Sequence, residues 1–180
     1  MRRLSIAVAA AALVALLGVQ NGAAQSRPQT REGFFIGFGL GVGSLGCQDC
    51  GSRESGFSGY LKLGGTVNEK LLLGFESNGW VKQQSGVTLS QSNASAVAYF
   101  YPQVESGFFL KGGFGVSTLK LDVSGFGSGS ESGFGVVAGL GYDARVGTNF
   151  SLTPYANIMS GSFSGGSTNV FQAGLGLTWH

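Results

Sequence analysis

The last ten residues alternate without a break. Phe171, Ala173, Leu175, Leu177 and Trp179 are apolar, whereas Gln172, Gly174, Gly176, Thr178 and His180 are polar or small. A period of two belongs to an extended strand with one oily face and one polar or empty face. Similar alternation recurs along the chain in segments of strand length. Past the first two dozen residues no apolar run reaches the ~20 residues that a membrane helix needs. Yet only 11 % of the residues are charged and 33 are glycine. A closed β-barrel in lipid reconciles these facts: alternate residues face the hydrocarbon, and closure pairs every backbone group.

The start of the chain predicts export. Arg2 and Arg3 form a basic region, Ile6 to Leu17 an apolar stretch, and Gly22-Ala23-Ala24 a small-residue cleavage site. Residues 1–24 therefore read as a cleaved signal peptide. Their apolar core is too short to span a membrane comfortably. Residues 25–31 read as a short flexible leader, and 32–180 as the barrel. Loss of Arg2 and Arg3 turns 11 basic against 9 acidic residues into a formally neutral mature chain. There is no basic stripe to neutralise phosphates, so no nucleic-acid partner is expected.

Eight strand segments can be read: Phe34 to Leu45, Phe57 to Gly65, Leu71 to Lys82, Ser92 to Tyr101, Phe108 to Val123, Gly133 to Arg145, Phe150 to Ser160, and the C-terminal strand. The facing of the fourth is ambiguous. In the fifth, the apolar parity flips after Val116 to Leu119, Leu121 and Val123, which a bulge near Ser117-Thr118 or an exit from the membrane would explain. In the seventh, Pro154 lacks a ladder donor. The predicted fold class is thus all-β, an eight-stranded antiparallel up-and-down transmembrane β-barrel. An even count puts both ends in the periplasm. Periplasmic turns are expected at Thr66 to Lys70, Pro102 to Gly107 and Val146 to Asn149. Outer loops are expected at Gly46 to Gly56, Gln83 to Gln91, Ser124 to Ser132 and Gly161 to Thr168.

Parity places Lys62, Glu76, Lys111, Asp143 and Arg145 on the inward face. Charges inside a narrow low-dielectric tube need partners, so these five are expected to form a packed polar network rather than an active site. Inward glycines would make room for them. Phe34, Tyr101, Phe108, Tyr142, Phe150 and Trp179 lie near the periplasmic strand ends, where they could form an interfacial girdle.

Motifs that carry chemistry are few. Cys47 and Cys50 form Cys-x-x-Cys in the first outer loop. In an exported protein a small disulfide ring is the expected state, with reduced thiols or a bound ligand as alternatives. No other Cys or His lies near to complete a metal site. Gly41-Val42-Gly43-Ser44-Leu45-Gly46 matches G-x-G-x-x-G, but no helix opens there. Asn93-Ala94-Ser95 and Asn149-Phe150-Ser151 match a glycosylation pattern that means little in a bacterial envelope. The single histidine, His180, leaves no Ser–His pair to build. Neither enzyme activity nor a cofactor or metal is expected.

Gln172, Gly174, Leu177 and Trp179 fill a polar–x–Gly–x–x–apolar–x–apolar pattern. It resembles the C-terminal insertion signal of outer-membrane β-barrels, with the departure that His180 follows the aromatic residue. Gly107-Phe108-Phe109-Leu110-Lys111-Gly112-Gly113-Phe114-Gly115 after a Tyr-Pro turn, Gly141-Tyr142 and the last strand together resemble the OmpA/OmpX-type family of small outer-membrane barrels. The resemblance implies a bacterial outer-membrane location and insertion by the barrel assembly machinery. It also implies a structural, adhesive or surface-interaction role without catalytic residues. Expected partners are outer-membrane lipid and extracellular or lipopolysaccharide contacts through the outer loops, with the protein a monomer. An OmpW-like passage or binding of small hydrophobic molecules is the alternative function. A soluble secreted lipocalin-type barrel is a second alternative, against which the scarcity of charge counts.

Overall fold

The computed structural model describes residues 31–47 and 51–180. The signal peptide at 1–24, the leader before Arg31, and Cys50 lie outside the described residues. The strands are β1 (Phe34–Cys47), β2 (Glu54–Asn68), β3 (Leu71–Gln84), β4 (Val87–Phe100), β5 (Phe108–Val123), β6 (Gly127–Tyr142), β7 (Ala144–Arg145), β8 (Phe150–Phe163) and β9 (Gly166–Trp179). β7 resumes the line of β6 beyond Asp143, so the wall consists of eight strands.

Each strand pairs antiparallel with its neighbour, and β1 pairs with β9 as β6 pairs with β8. The sheet is closed. Partners followed round from Gly37 run Lys62, Glu76, Ser95, Gly115, Gly135, Gly161, Thr168 and then Cys47. The path rejoins β1 ten residues further on. That stagger fixes the strand tilt and leaves an interior that side chains fill.

The strands run further outward than the hydrophobic pattern predicts. Most of the expected outer loops are ladder: β3 and β4 are joined only by Ser85 and Gly86, β6 already begins at Gly127, and β8 and β9 are separated only by Ser164 and Gly165. Above the lipid both faces of a strand meet water, so apolar alternation fades while backbone pairing continues. Ser85 (φ 51°) and Gly86 (φ 78°) are both left-handed, the requirement of a tight type I′ hairpin. At the other end β2 continues to Asn68, past the expected start of its turn, with a register shift between Thr66 and Asn68.

The parity flip in β5 is not a bulge. The β4–β5 register is unbroken from Phe100↔Leu110 to Val87↔Val123. Leu119 lies on the inward parity, packed against the buried cluster, and Leu121 is 45 % exposed, so this part of the strand has left the membrane zone. Pro154 stays within β8. The ladder towards β6 lapses between Gly141↔Tyr155 and Ala144↔Leu152, which leaves the missing donor of Pro154 opposite the break at Asp143.

Candidate functional site

The outer wall is the first functional surface. Phe38, Leu40, Leu61, Phe75, Phe114, Phe134, Leu140, Phe171 and Leu175 are each 47–65 % exposed. From Phe34, Phe108 and Phe150 at one end to Val42, Val116 and Phe134 at the other, no outward residue of any strand is charged. Water would strip such a surface into aggregates, whereas hydrocarbon solvates it. A hollow of about 400 Å³ on this wall is framed by Phe38, Leu40, Phe57 and Val81 over Gly59 and Gly79. Phe34, Phe108, Phe150 and Trp179 are 51, 37, 53 and 38 % exposed at the periplasmic end, but Tyr101 is 1 % exposed. It points into the lumen and is not part of a girdle.

The lumen is stacked in tiers. In the lowest, Asp143 sits in the gap between β6 and β7, fully shielded. It accepts hydrogen bonds from Tyr101 Oη (2.7 Å) and Thr153 Oγ1 (2.6 Å), and His180 Nε2 lies 3.6 Å from its Oδ2. Arg31, assigned by sequence to a flexible leader, is instead 3 % exposed. Its guanidinium lies 3.7 Å over the Tyr101 ring and donates to Val104 O (2.9 Å) and Ser106 O (2.6 Å). Arg145 donates to Thr148 O (3.0 Å). His180 is likewise more than a tail, with its backbone N–H donating to Asn149 O (3.0 Å).

The next tier centres on Glu76. It is ion-paired with Lys111 and accepts hydrogen bonds from Tyr99 Oη and from Asn78 Nδ2 (2.7 Å). Lys62, the cross-strand partner of Glu76, places its Nζ over the rings of Tyr99 and Phe109, 5.3 Å from each. Among the described residues it makes no ion pair within 4 Å. All five sequence-assigned charges are buried, and they gather at two centres, Glu76–Lys111 and Asp143 with Arg145, with Lys62 between. Inward glycines accommodate the rings: a Cβ at Gly39 would collide with Tyr60 and come within 2.9 Å of Tyr155. These two tyrosines cross edge to face, 4.7 Å apart.

An amide-rich tier follows, holding Asn78, Asn93, Ser95, Asn157 and Gln172. Gln172 donates to Gly79 O (2.9 Å) on β3. Above it Trp80, Leu45, Met159 and Val170 are at most 5 % exposed, and Leu89 and Leu119 pack against them. Trp80 Nε1 donates to Gly43 O (3.1 Å), which fixes the indole in the lumen as the largest part of a plug that also buries its cross-strand partner Gln91, bonded by Thr168 Oγ1 (2.8 Å).

At the outer end Arg53 clasps β1 to β9. It donates to Ser44 and to Asn169 Oδ1 (2.7 Å), and stacks 4.7 Å from the Phe171 ring. Glu54 is ion-paired with Lys82. Glu131 accepts from Ser164 Oγ and from Ser164 N–H (2.8 Å), which hold its carboxyl below the usual range. Cys47 closes β1 and is not a free thiol; Cys50 lies outside the described residues. Of the insertion-signal residues, Gln172 points inward and Leu177 and Trp179 outward. Gly174 sits where a side chain would strike Leu40 O and Tyr155.

No protein-family model matches the chain, and no curated protein does. Solved structures match it across most of its length. Ail, the attachment invasion locus protein of Yersinia pestis, in complex with the heparin analogue sucrose octasulfate, superposes with a TM-score of 0.63 at 16 % identity, over 83 % of this chain and 100 % of that one. Neisserial surface protein A gives 0.59 at 18 % identity, over 83 % and 98 %. The N-terminal β-barrel domain of Pseudomonas aeruginosa OprF gives 0.50 at 12 % identity, over 83 % and 98 %. The chain has the fold of the small eight-stranded outer-membrane β-barrels.

Proposed function

We propose that the chain is an integral, monomeric, non-catalytic barrel of a bacterial outer membrane, with a structural or surface-interaction role in adhesion or envelope integrity. The observation that carries this reading is the pairing of a charge-free apolar outer wall with a lumen filled from the Asp143 tier to the Trp80 plug. A wall of that kind suits lipid, and a filled lumen suits a pillar rather than a pore. Export would use the signal peptide at residues 1–24, and Gln172, Gly174, Leu177 and Trp179 would present the chain to the assembly machinery. A Cys47–Cys50 disulfide would close the first outer turn.

The outer end narrows the class of partner. Arg53, Lys82 and Lys120 are matched there by Glu54, Asp122 and Glu131 among the described residues. A polyanion such as the heparin analogue bound by the Yersinia protein would find no excess of positive charge. The balanced, Gly- and Ser-rich surface suits a neutral or mixed-charge partner. As for chemistry, the hydroxyl of Thr153 donates to Asp143 rather than to the His180 imidazole, so no Ser–His-type pair supports a catalytic reading.

Reconstitution into liposomes tests the role. Swelling in small sugars and uptake of small hydrophobic dyes should stay at the level of empty vesicles, while a deletion strain should lose envelope integrity or surface attachment. Dye or sugar entry through the wild-type protein would favour the passage alternative.

A further inference from the structure

One carboxylate oxygen in the lumen touches both an amine and a side-chain amide. Glu76 Oε1 accepts hydrogen bonds from Lys111 Nζ and from Asn78 Nδ2 (2.7 Å). Its other oxygen, Oε2, accepts from Tyr99 Oη, which holds the carboxyl in place. Glu76 and Asn78 project from the inward face of β3, and Lys111 reaches them from β5. The Lys111 and Glu76 side chains are 3 % and 0 % exposed, and Asn78 is 1 % exposed. Asn78 Oδ1 has no hydrogen-bond partner among the described residues. The charges of this tier are out of balance. Lys62 and Lys111 lie over the same two rings, 5.8 and 5.2 Å from Tyr60 and 5.3 and 6.0 Å from Tyr99. Two ammonium groups thus face one carboxylate, and a buried charge without its own partner is costly. Loss of the Lys111 charge would leave Glu76 to Lys62, its cross-strand partner.

We propose that Lys111 and Asn78 form an amide cross-link by themselves, an intramolecular isopeptide bond between β3 and β5, with Glu76 shuttling the protons. The ion pair of the freshly folded barrel is the reactant state. Lys111 passes a proton to Glu76, which leaves a free amine beside a carboxylic acid, a neutral pair suited to a buried site. Lys111 Nζ attacks Asn78 Cγ, and a C–N bond forms. Glu76 gives its proton to Nδ2 as the Cγ–Nδ2 bond breaks, and takes one from Nζ. The departing ammonia carries that proton away as ammonium, so Glu76 is a carboxylate again. Nothing is oxidised or reduced, and no co-reactant is consumed. Because Nζ and Nδ2 share one oxygen, the fold holds nucleophile, leaving group and proton carrier together. The product has one ammonium, Lys62, for one carboxylate, Glu76. The bond also straps β3 to β5 across β4, closing a loop that the unfolded chain would otherwise hold open.

Mass spectrometry of the full barrel, folded in detergent and then aged, provides the test. The intact mass should fall by one ammonia, in a share that grows with time. In a tryptic digest the Asn78 peptide should be joined to the Lys111 peptide, with no cleavage after Lys111. An unchanged mass would overturn the proposal. So would an ammonia loss confined to the peptide holding Asn78-Gly79 and sensitive to hydroxylamine, the mark of a cyclic imide at that pair. Variants give an independent sign. Asn78→Asp should lose water in place of ammonia, and Asn78→Ala should lose neither. Asn157→Ala, which removes a buried amide outside the triad, should still form the link. Ammonia loss that survives in Asn78→Ala would exclude Asn78 as the partner of Lys111. The wild-type digest decides the matter even if a variant fails to fold.

Discussion

Glu76 on β3 is ion-paired with Lys111 on β5, past Tyr99 on the strand between them, and the two side chains are 0 % and 3 % exposed. Each charge offsets much of the cost of burying the other. Glu76→Gln should therefore cost about 3 kcal/mol, and Lys111→Met a similar amount, because each leaves a buried charge without its partner. The double variant should recover most of the loss. Urea unfolding of detergent-folded samples checks this, and an unchanged midpoint for Glu76→Gln would remove the pair from the account.

Inward glycines hold their places for steric reasons. A Cβ at Gly39 collides with the Tyr60 ring, whereas one at Gly112, on the outward face, has nothing within 4 Å. Gly39→Ala should destabilise the barrel by about 1–3 kcal/mol through overpacking. Gly112→Ala should stay within about 0.5 kcal/mol of wild type. Unfolding midpoints of the two variants, compared side by side, test the assignment.

The wall and most interior residues were legible because lipid outside and a narrow lumen inside impose a period of two. The facing of β4 is not legible, because its outward row of Ser90, Ser92, Ala94, Ala96 and Ala98 and much of its inward row are small or polar, so hydrophobicity marks neither face. For the same reason the sequence does not reveal that Tyr101 continues the inward row of Val97 and Tyr99. Arg31 and His180 flank the strands, where alternation no longer applies. Nothing local shows that they fold back on Tyr101 and Asp143. The outer strand extensions look like loops in sequence because water on both sides leaves no pattern.

The contact of Glu131 with Ser164 ties the β6 extension to the β8–β9 turn, and it depends on pH. Both hydrogen bonds favour the ionised carboxylate, so its folded pKa is lowered. The contact is therefore complete above the ordinary carboxylate pKa and is lost as pH falls through the lowered value. Hydrogen-exchange protection of the Ser164 amide should be constant at neutral pH and decline only in acid. Glu131→Gln should weaken that protection at neutral pH and flatten the dependence.

A Cys47–Cys50 bridge would close a very short loop, so little chain entropy would be taken from the unfolded state. The double Cys→Ser variant should insert normally with its stability nearly unchanged. Thiol labelling of intact cells should require prior reduction. Labelling without reduction would show the thiols free, and failure of the double variant to insert would show that the turn matters to folding.

The central claim is that the charge-free wall sits in an outer membrane. Fractionation of the cell envelope, followed by gel electrophoresis with and without heating, tests it most directly. The protein should sediment with outer membranes, and the unheated barrel should migrate apart from the heated chain. Trp179→Ala and Gly174→Asp should fail to reach that fraction, the first by loss of the terminal aromatic and the second by a side chain driven into Leu40 O. A wild-type protein recovered soluble without detergent, with one mobility whether heated or not, would contradict the account.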